Sequence, residues 1–175
     1  LAKDLQSHFE LPPSAWVQRW APAIRPGGAV LDVAAGSGRH ARLLARLGFE
    51  VEAVDRDVSL FADPPARVKV VEADIETGAW PFAGRRFDGI VVTHYLHRPL
   101  LAVLVDALER GGMLIYETFA QGNERFGKPS NPDFLLVPGE LLEAVRGKLR
   151  VVAFEDLVVS EPRPAALQRL AARRE

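Results

Sequence analysis

Residues Ala29-Val-Leu-Asp-Val-Ala-Ala-Gly-Ser-Gly-Arg-His40 lead an apolar run into a glycine-rich turn and then into a segment of helical period. This succession constrains the fold more than any other stretch. A β-branched run predicts a buried strand, and the helical face of Ala41, Leu44 and Ala45 just beyond Gly38 predicts a crossover unit. The same alternation continues along the chain, with strands predicted over Ala29–Val33, Glu50–Asp55, Val68–Glu72, Phe87–Thr93, Met113–Phe119, Leu149–Val159 and Ala165–Ala172. Helices are predicted over Gly38–Leu47, over Leu100–Glu109 with Gly111–Gly112 as its stop signal, and over Pro138–Lys148 with Pro138 as its first residue. Lys3–Trp20 reads as one or two helices interrupted at Pro12–Pro13. The class is α/β with a largely parallel sheet.

Gly36 and Gly38 have no Cβ, so the backbone there turns tightly and a ligand can approach it, beside the free N–H groups of a helix start. Asp32 ends the first strand, where its carboxylate suits an ammonium group, directly or through water. Asp55 ends the second strand about 20 residues after the glycines, the spacing of a ribose-binding acid. The third strand closes on Asp74-Ile75, an acid able to accept from an adenine amino group beside an apolar side chain able to pack on the base. Taken alone the turn is ambiguous. Gly36-Ser-Gly-Arg-His-Ala41 also fits the dinucleotide fingerprint G-x-G-x-x-A, which leaves a nicotinamide oxidoreductase open.

His94, Tyr95 and His97 follow the fourth strand, in the position from which a side chain would face an acceptor. An imidazole with an ordinary pKa of about 6.5 can take a proton at neutral pH, so these residues either orient or deprotonate a nucleophile, or shape the pocket. His94-x-x-His97 has no third ligand in view and the chain has no cysteine, so no metal is expected. The long connection 121–137 holds Gly122, Gly127, Pro129 and Pro132 and has the length of a lid; the lid is taken as 120–137. Asn123, Arg125, Phe126 and Phe134 are its candidate substrate contacts, with pinning of the loop as the alternative for the two phenylalanines. Trp16 and Trp20, four apart, read as core anchors. Asp88 leads its strand from the opposite end of the sheet and reads as a turn or cap residue. Arg169, Arg173 and Arg174 read as a solvated edge, with a basic patch as the alternative.

These residues together resemble the class I S-adenosylmethionine-dependent methyltransferases, and the resemblance covers nearly the whole chain. Asp32-Val-Ala-Ala-Gly-Ser-Gly38 is similar to the family's acid-x-Gly-x-Gly-x-Gly, with Ala34 in place of the first glycine, a departure that slightly narrows the turn. Arg86-Phe-Asp-Gly-Ile-Val-Val-Thr-His94 resembles its fourth strand, and Leu108-Glu-Arg-Gly-Gly-Met-Leu-Ile-Tyr116 its Gly-Gly turn and fifth strand. The resemblance implies a three-layer Rossmann-like sandwich with a seven-stranded sheet in the order 3-2-1-4-5-7-6, strand 7 antiparallel. It implies S-adenosylmethionine as cofactor and S-adenosylhomocysteine as product, held by Asp32, Ala34, Gly36, Gly38, Asp55, Arg56, Asp74, Ile75 and Thr93. The segment from Phe119-Ala-Gln-Gly-Asn-Glu-Arg-Phe-Gly-Lys-Pro129 through Phe134–Leu142 is similar to the tellurite-resistance-type methyltransferases, which implies a small or soft nucleophile as acceptor. A binding module without turnover is the second alternative.

Composition narrows the partners. The 175 residues suit one domain, with residues 1–25 as an N-terminal helical segment. A net charge of −1 provides no global field for nucleic acid or an anionic membrane, which favours a small-molecule acceptor without excluding a local patch. No apolar run nears the roughly 20 residues of a membrane span, and no basic-then-apolar leader opens the chain, so a cytoplasmic enzyme is expected.

Overall fold

Strand β4 (Phe87–Thr93) is buried at every residue in the computed structural model, which describes residues 11–175. Runs such as Ile90-Val-Val92 carry apolar groups on both faces, so they need cover from two sides, and a parallel sheet between helical layers provides it. The other strands are β1 Ala29–Val33, β2 Glu50–Asp55, β3 Val68–Glu72, β5 Leu108–Phe119, β6 Arg150–Val159 and β7 Ala165–Arg173. Together they form one sheet in the order β3-β2-β1-β4-β5-β7-β6. Pairs among β1 to β5 are parallel, and β7 runs antiparallel to both β5 and β6. This is the order and the single reversal that the resemblance implies. An open dinucleotide-binding sheet has the order 3-2-1-4-5-6 and lacks the reversed insertion.

Alternation along each strand divides the core between the two faces. On one face Val30, Val51, Val91 and Ile115 meet α1 (Ala15–Trp20) and α2 (Arg39–Arg46) through Trp16, Val17, Ala41 and Leu44. On the other, Leu31, Val54, Ile90, Val92 and Leu114 meet α3 (Leu100–Asp106) and α4 (Glu140–Val145) through Leu100, Leu104, Leu141 and Val145. Trp16 is 3% exposed and its indole N–H donates to the Leu170 carbonyl at 3.1 Å, so it is the core anchor expected. Asp88 accepts from Arg25 and from the Ala29 N–H at the far end of the sheet, a structural role.

Helix ends differ from the sequence reading. Helix α3 stops at Asp106, and Gly111–Gly112 lie inside β5 rather than after a helix. A Cβ on Gly112 would stand 2.8 Å from the Glu109 carbonyl and 2.9 Å from that of Phe87, so the glycine lets the chain fold back onto the sheet. Pro138 precedes α4 rather than opening it: Gly139, in the left-handed region, is the cap, and the helix ends at Val145. Of Lys3–Trp20, residues 15–20 are helical, and residues 3–10 lie outside the described residues.

Of the C-terminal arginines, Arg169 is neutralised by carboxylates, while Arg173 and Arg174 donate to backbone carbonyls and keep their charge. Arg169 pairs with Glu117 at 2.5 Å and Glu155 at 3.1 Å, Arg173 reaches the Ala23 carbonyl, and Arg174 reaches the carbonyls of Val105, Asp106 and Leu108. Among the described residues no helix is long and apolar enough to cross a membrane.

Candidate functional site

All five parallel strands point their C-terminal ends at one rim, where loop backbones and strand-tip side chains are open to a ligand. Beyond β1 the chain turns through Ala34, which sits at φ +55°, and Gly36, also at φ +55°. Asp55 at the tip of β2 accepts the Gly36 N–H at 2.8 Å through Oδ2 and the Asp57 N–H at 3.1 Å through Oδ1. The predicted ribose acid therefore also shapes the glycine turn. No heavy atom lies within 4 Å of where a Gly36 Cβ would stand, so this part of the turn is open to a ligand. Gly38 is different: a Cβ there would stand 2.2 Å from the Phe61 ring, so this glycine is needed for packing.

Ala34 occupies a left-handed conformation that suits glycine, at a cost for an L-residue of about 1–2 kcal/mol. Replacing Ala34 by Gly relieves that strain and adds back unfolded-chain entropy, for a net gain of about 0.5–1 kcal/mol. A thermal melt should show the midpoint rising by about 2–3 °C, and a fall would mean the alanine methyl packs productively.

Asp32 is 1% exposed, and its Oδ2 has no hydrogen-bond partner. Burial pushes its carboxyl up to about 7, offset only in part by the Ala41 N–H and the charge of Arg39. An unpartnered buried carboxylate oxygen is costly, and a cation delivered beside it relieves the cost. Asp74 at the end of β3 is exposed and bonded within its own turn. It accepts from the N–H groups of Glu76 and Thr77 and from the Thr77 hydroxyl, which holds its carboxyl below the usual carboxylate range.

A cavity of about 770 Å³ opens on this rim. Its lining draws Ala34, Asp55, Arg56, Asp74 and Ile75 from the ends of β1, β2 and β3, and His94, Tyr95, Thr118, Phe119 and Phe134 from the ends of β4 and β5 and the loop that follows. His94 sits at φ +51°, donates its N–H to the Glu117 carbonyl and stacks on Phe119 with ring centroids 4.7 Å apart. The Tyr95 phenol donates to Glu76 Oε1 at 3.0 Å; burial and that carboxylate raise its pKa above the ordinary range, so at neutral pH it remains a donor.

Several predicted residues lie elsewhere. Asp32, Gly36, Gly38 and Thr93 are not part of the cavity lining, and Thr93 is buried with its hydroxyl 3.2 Å from His40 Nδ1. His97 does not line the cavity, because the chain turns into α3 there and its carbonyl accepts the Leu100 N–H. Asn123 is 2% exposed. Its amide donates to the Pro129 carbonyl and accepts the Ala166 N–H, so it fastens the 121–137 loop rather than touching a substrate. Arg125 and Phe126 stack on each other off the cavity wall.

The loop contributes residues that the sequence reading missed: Lys128, Pro129, Ser130 and Asn131 line the cavity beside Phe134. Arg98 ties the far end of this loop by donating to the carbonyls of Asp133 and Leu135 and to Glu140. Nothing in local spacing announces these contacts; Lys128, alone in its charge on this loop wall, was the one available signal. Among the described residues no group of three or more His, Asp or Glu is placed to hold a metal ion.

Residues 30–112 match the family described as a methyltransferase domain. The protein-L-isoaspartate O-methyltransferase of Methylorubrum extorquens is 37% identical over 79 residues, which are 42% of this chain and 34% of that protein. This chain spans less than half the length of the curated relatives it matches, 34%, 44% and 45%. Among solved structures, TehB from Haemophilus influenzae has a TM-score of 0.74 at 18% identity, covering 91% of this chain and 61% of that one. The glycopeptide N-methyltransferase MtfA complexed with S-adenosyl-L-homocysteine has a TM-score of 0.66 at 20% identity, covering 95% of this chain and 91% of that one. At such identities the likeness carries the fold.

Proposed function

We propose that this chain, whose residues 30–112 match a methyltransferase domain and whose sheet has the Rossmann-like order, is a class I methyltransferase that binds S-adenosylmethionine along β1–β3 and passes the methyl group to a small-molecule acceptor under the 121–137 loop. The observation that carries this reading is one 770 Å³ cavity lined both by the strand-tip acids Asp55 and Asp74 and by His94, Tyr95 and Phe119. A volume of that order holds a nucleoside and a second small molecule.

Asp55 accepts from the ribose hydroxyls, and Ile75 packs on the base beside Asp74 and Arg56. Asp32 neutralises the ammonium group from behind the turn, directly or through water. The bound sulfonium supplies an already activated methyl group, so the protein mainly aligns donor and acceptor and excludes water. His94 orients the acceptor, and the Phe119 and Phe134 rings keep water from the reacting carbon. Tyr95 stays protonated and contributes a donor. A soft or already ionised nucleophile needs no base in such a site.

Isothermal titration with S-adenosylmethionine, S-adenosylhomocysteine and NAD tests the reading. Binding of the two sulfur nucleotides without NAD supports it; NAD alone overturns it in favour of a hydride-transfer enzyme. Binding of S-adenosylmethionine with no S-adenosylhomocysteine formed across a panel of small thiols, amines and carboxylates identifies a binding module. An isoaspartyl peptide belongs in that panel, because the curated relatives are named for that acceptor. Its methylation in preference to every small molecule would replace the small-molecule acceptor with a protein one.

A further inference from the structure

Two consecutive residues just past the glycine turn make the same pair of connections. Arg39 donates through Nη1 to the Pro12 carbonyl at 3.2 Å and places Nη2 3.4 Å from His94 Nδ1. His40 accepts the Ser14 N–H on Nε2 at 2.9 Å and has Nδ1 3.2 Å from the Thr93 hydroxyl oxygen. Each residue thus bridges the segment entering α1 to the tip of β4, and each lies on the first turn of the helix that follows the glycines.

The chemistry of the partners fixes both imidazoles. A backbone N–H only donates, so His40 Nε2 carries the lone pair and its proton resides on Nδ1, donated to Thr93. A guanidinium also only donates, so His94 Nδ1 is an acceptor. His40 is 3% exposed, and burial together with the charge of Arg39 pushes its pKa down to about 3, so the ring stays neutral through the physiological range. Neither residue lines the cavity, and the methyl-transfer chemistry uses neither.

We propose that Arg39 and His40 are positioning residues, a double bridge that holds the segment before α1 and the Thr93–His94 tip at a fixed spacing from the glycine turn. The donor wall and the acceptor wall then keep one geometry, because a single helical turn carries both connections. The functional part of this inference rests on the proposed division of the cavity into donor and acceptor sides. The bridge itself is measurable without any cofactor.

The test uses the full chain. Long-range proton–nitrogen spectra of the imidazoles are expected to show His40 as the Nδ1–H tautomer from about pH 5 to 9, whereas a neutral histidine in water favours Nε2–H. Finding Nε2–H overturns the bridge without any variant being made. In His40→Leu the Ser14 amide should exchange about tenfold faster or more, and the His94 ring should lose its single set of resonances. His40→Gln, whose carbonyl oxygen reaches the Ser14 N–H, should restore amide protection.

Affinity for S-adenosylhomocysteine is expected to stay within about threefold in both variants, since the bridge does not touch the cofactor. An unaltered His94 spectrum in His40→Leu, or unaltered Ser14 exchange, sinks the proposal. If wild-type protein fails to bind the sulfur nucleotides, the proposed activity falls, while the tautomer and exchange results still decide the bridge.

Discussion

Replacing Asp55 by Ala is expected to weaken S-adenosylmethionine binding by about 10- to 150-fold, the loss of a charge-assisted hydrogen bond worth about 1.5–3 kcal/mol. The upper part of that range is favoured because one side chain does two things. Its Oδ2 holds the Gly36 N–H, so the variant also frees the turn on which the cofactor lies. Asp55→Asn separates the two effects: an amide oxygen still accepts from Gly36 but brings no charge to the ribose, so its affinity should fall between the other two. Titration calorimetry measures all three proteins, and wild-type affinity in Asp55→Ala would refute the ribose assignment.

The second large effect is a pH dependence that comes from Asp32. Its carboxyl stands near 7 in the folded chain against 3.8 when free, because burial penalises the charge. Between those values the folded state binds more protons than the unfolded one, so this residue's contribution to stability falls as pH rises toward 7, the reverse of a salt-bridged carboxylate. A cofactor ammonium group favours the ionised form. Affinity for S-adenosylmethionine should therefore rise with pH and drop about tenfold for each unit below 7. Near pH 7 binding should release about half a proton, visible as a dependence of the observed heat on the buffer's ionisation enthalpy. In Asp32→Asn that dependence should vanish. A flat affinity for the wild type between about pH 5.5 and 8 would remove Asp32 from the cofactor's charge balance.

What the chain discloses about itself divides along physical lines. Strands β1 and β4 are legible to the residue because burial on both faces favours near-continuous apolar runs, and β2 and β3 because valines alternate with charged residues up to an acidic end. The glycine turn and its following acids are equally plain, since a ligand-approach turn and strand-tip carboxylates depend on local sequence. Gly111–Gly112 misled because glycine marks a helix stop and a sharp return into a strand alike; only the nearness of the Phe87 carbonyl tells them apart. His97 misled because three residues are enough for the chain to leave the rim and enter α3. Lys128–Asn131 were missed because Asn123 and Arg98, whose partners are distant in sequence, decide which part of the loop faces the cavity.

The hydrogen bond from Trp16 to the Leu170 carbonyl spans 154 residues of sequence. A nascent chain emerges from its N-terminus, and contacts between near neighbours close first. The α1 segment therefore docks in stages: its packing on Val30, Ala41 and Leu44 closes early, while its indole has no acceptor until β7 has been made and paired with β5. Through Ser14 and Pro12 that segment is also bound to Arg39 and His40. The strand-tip acids and the bridge through Arg39 and His40 can assemble during synthesis, while the bond that ties α1 to the far hairpin forms only once β7 has paired with β5.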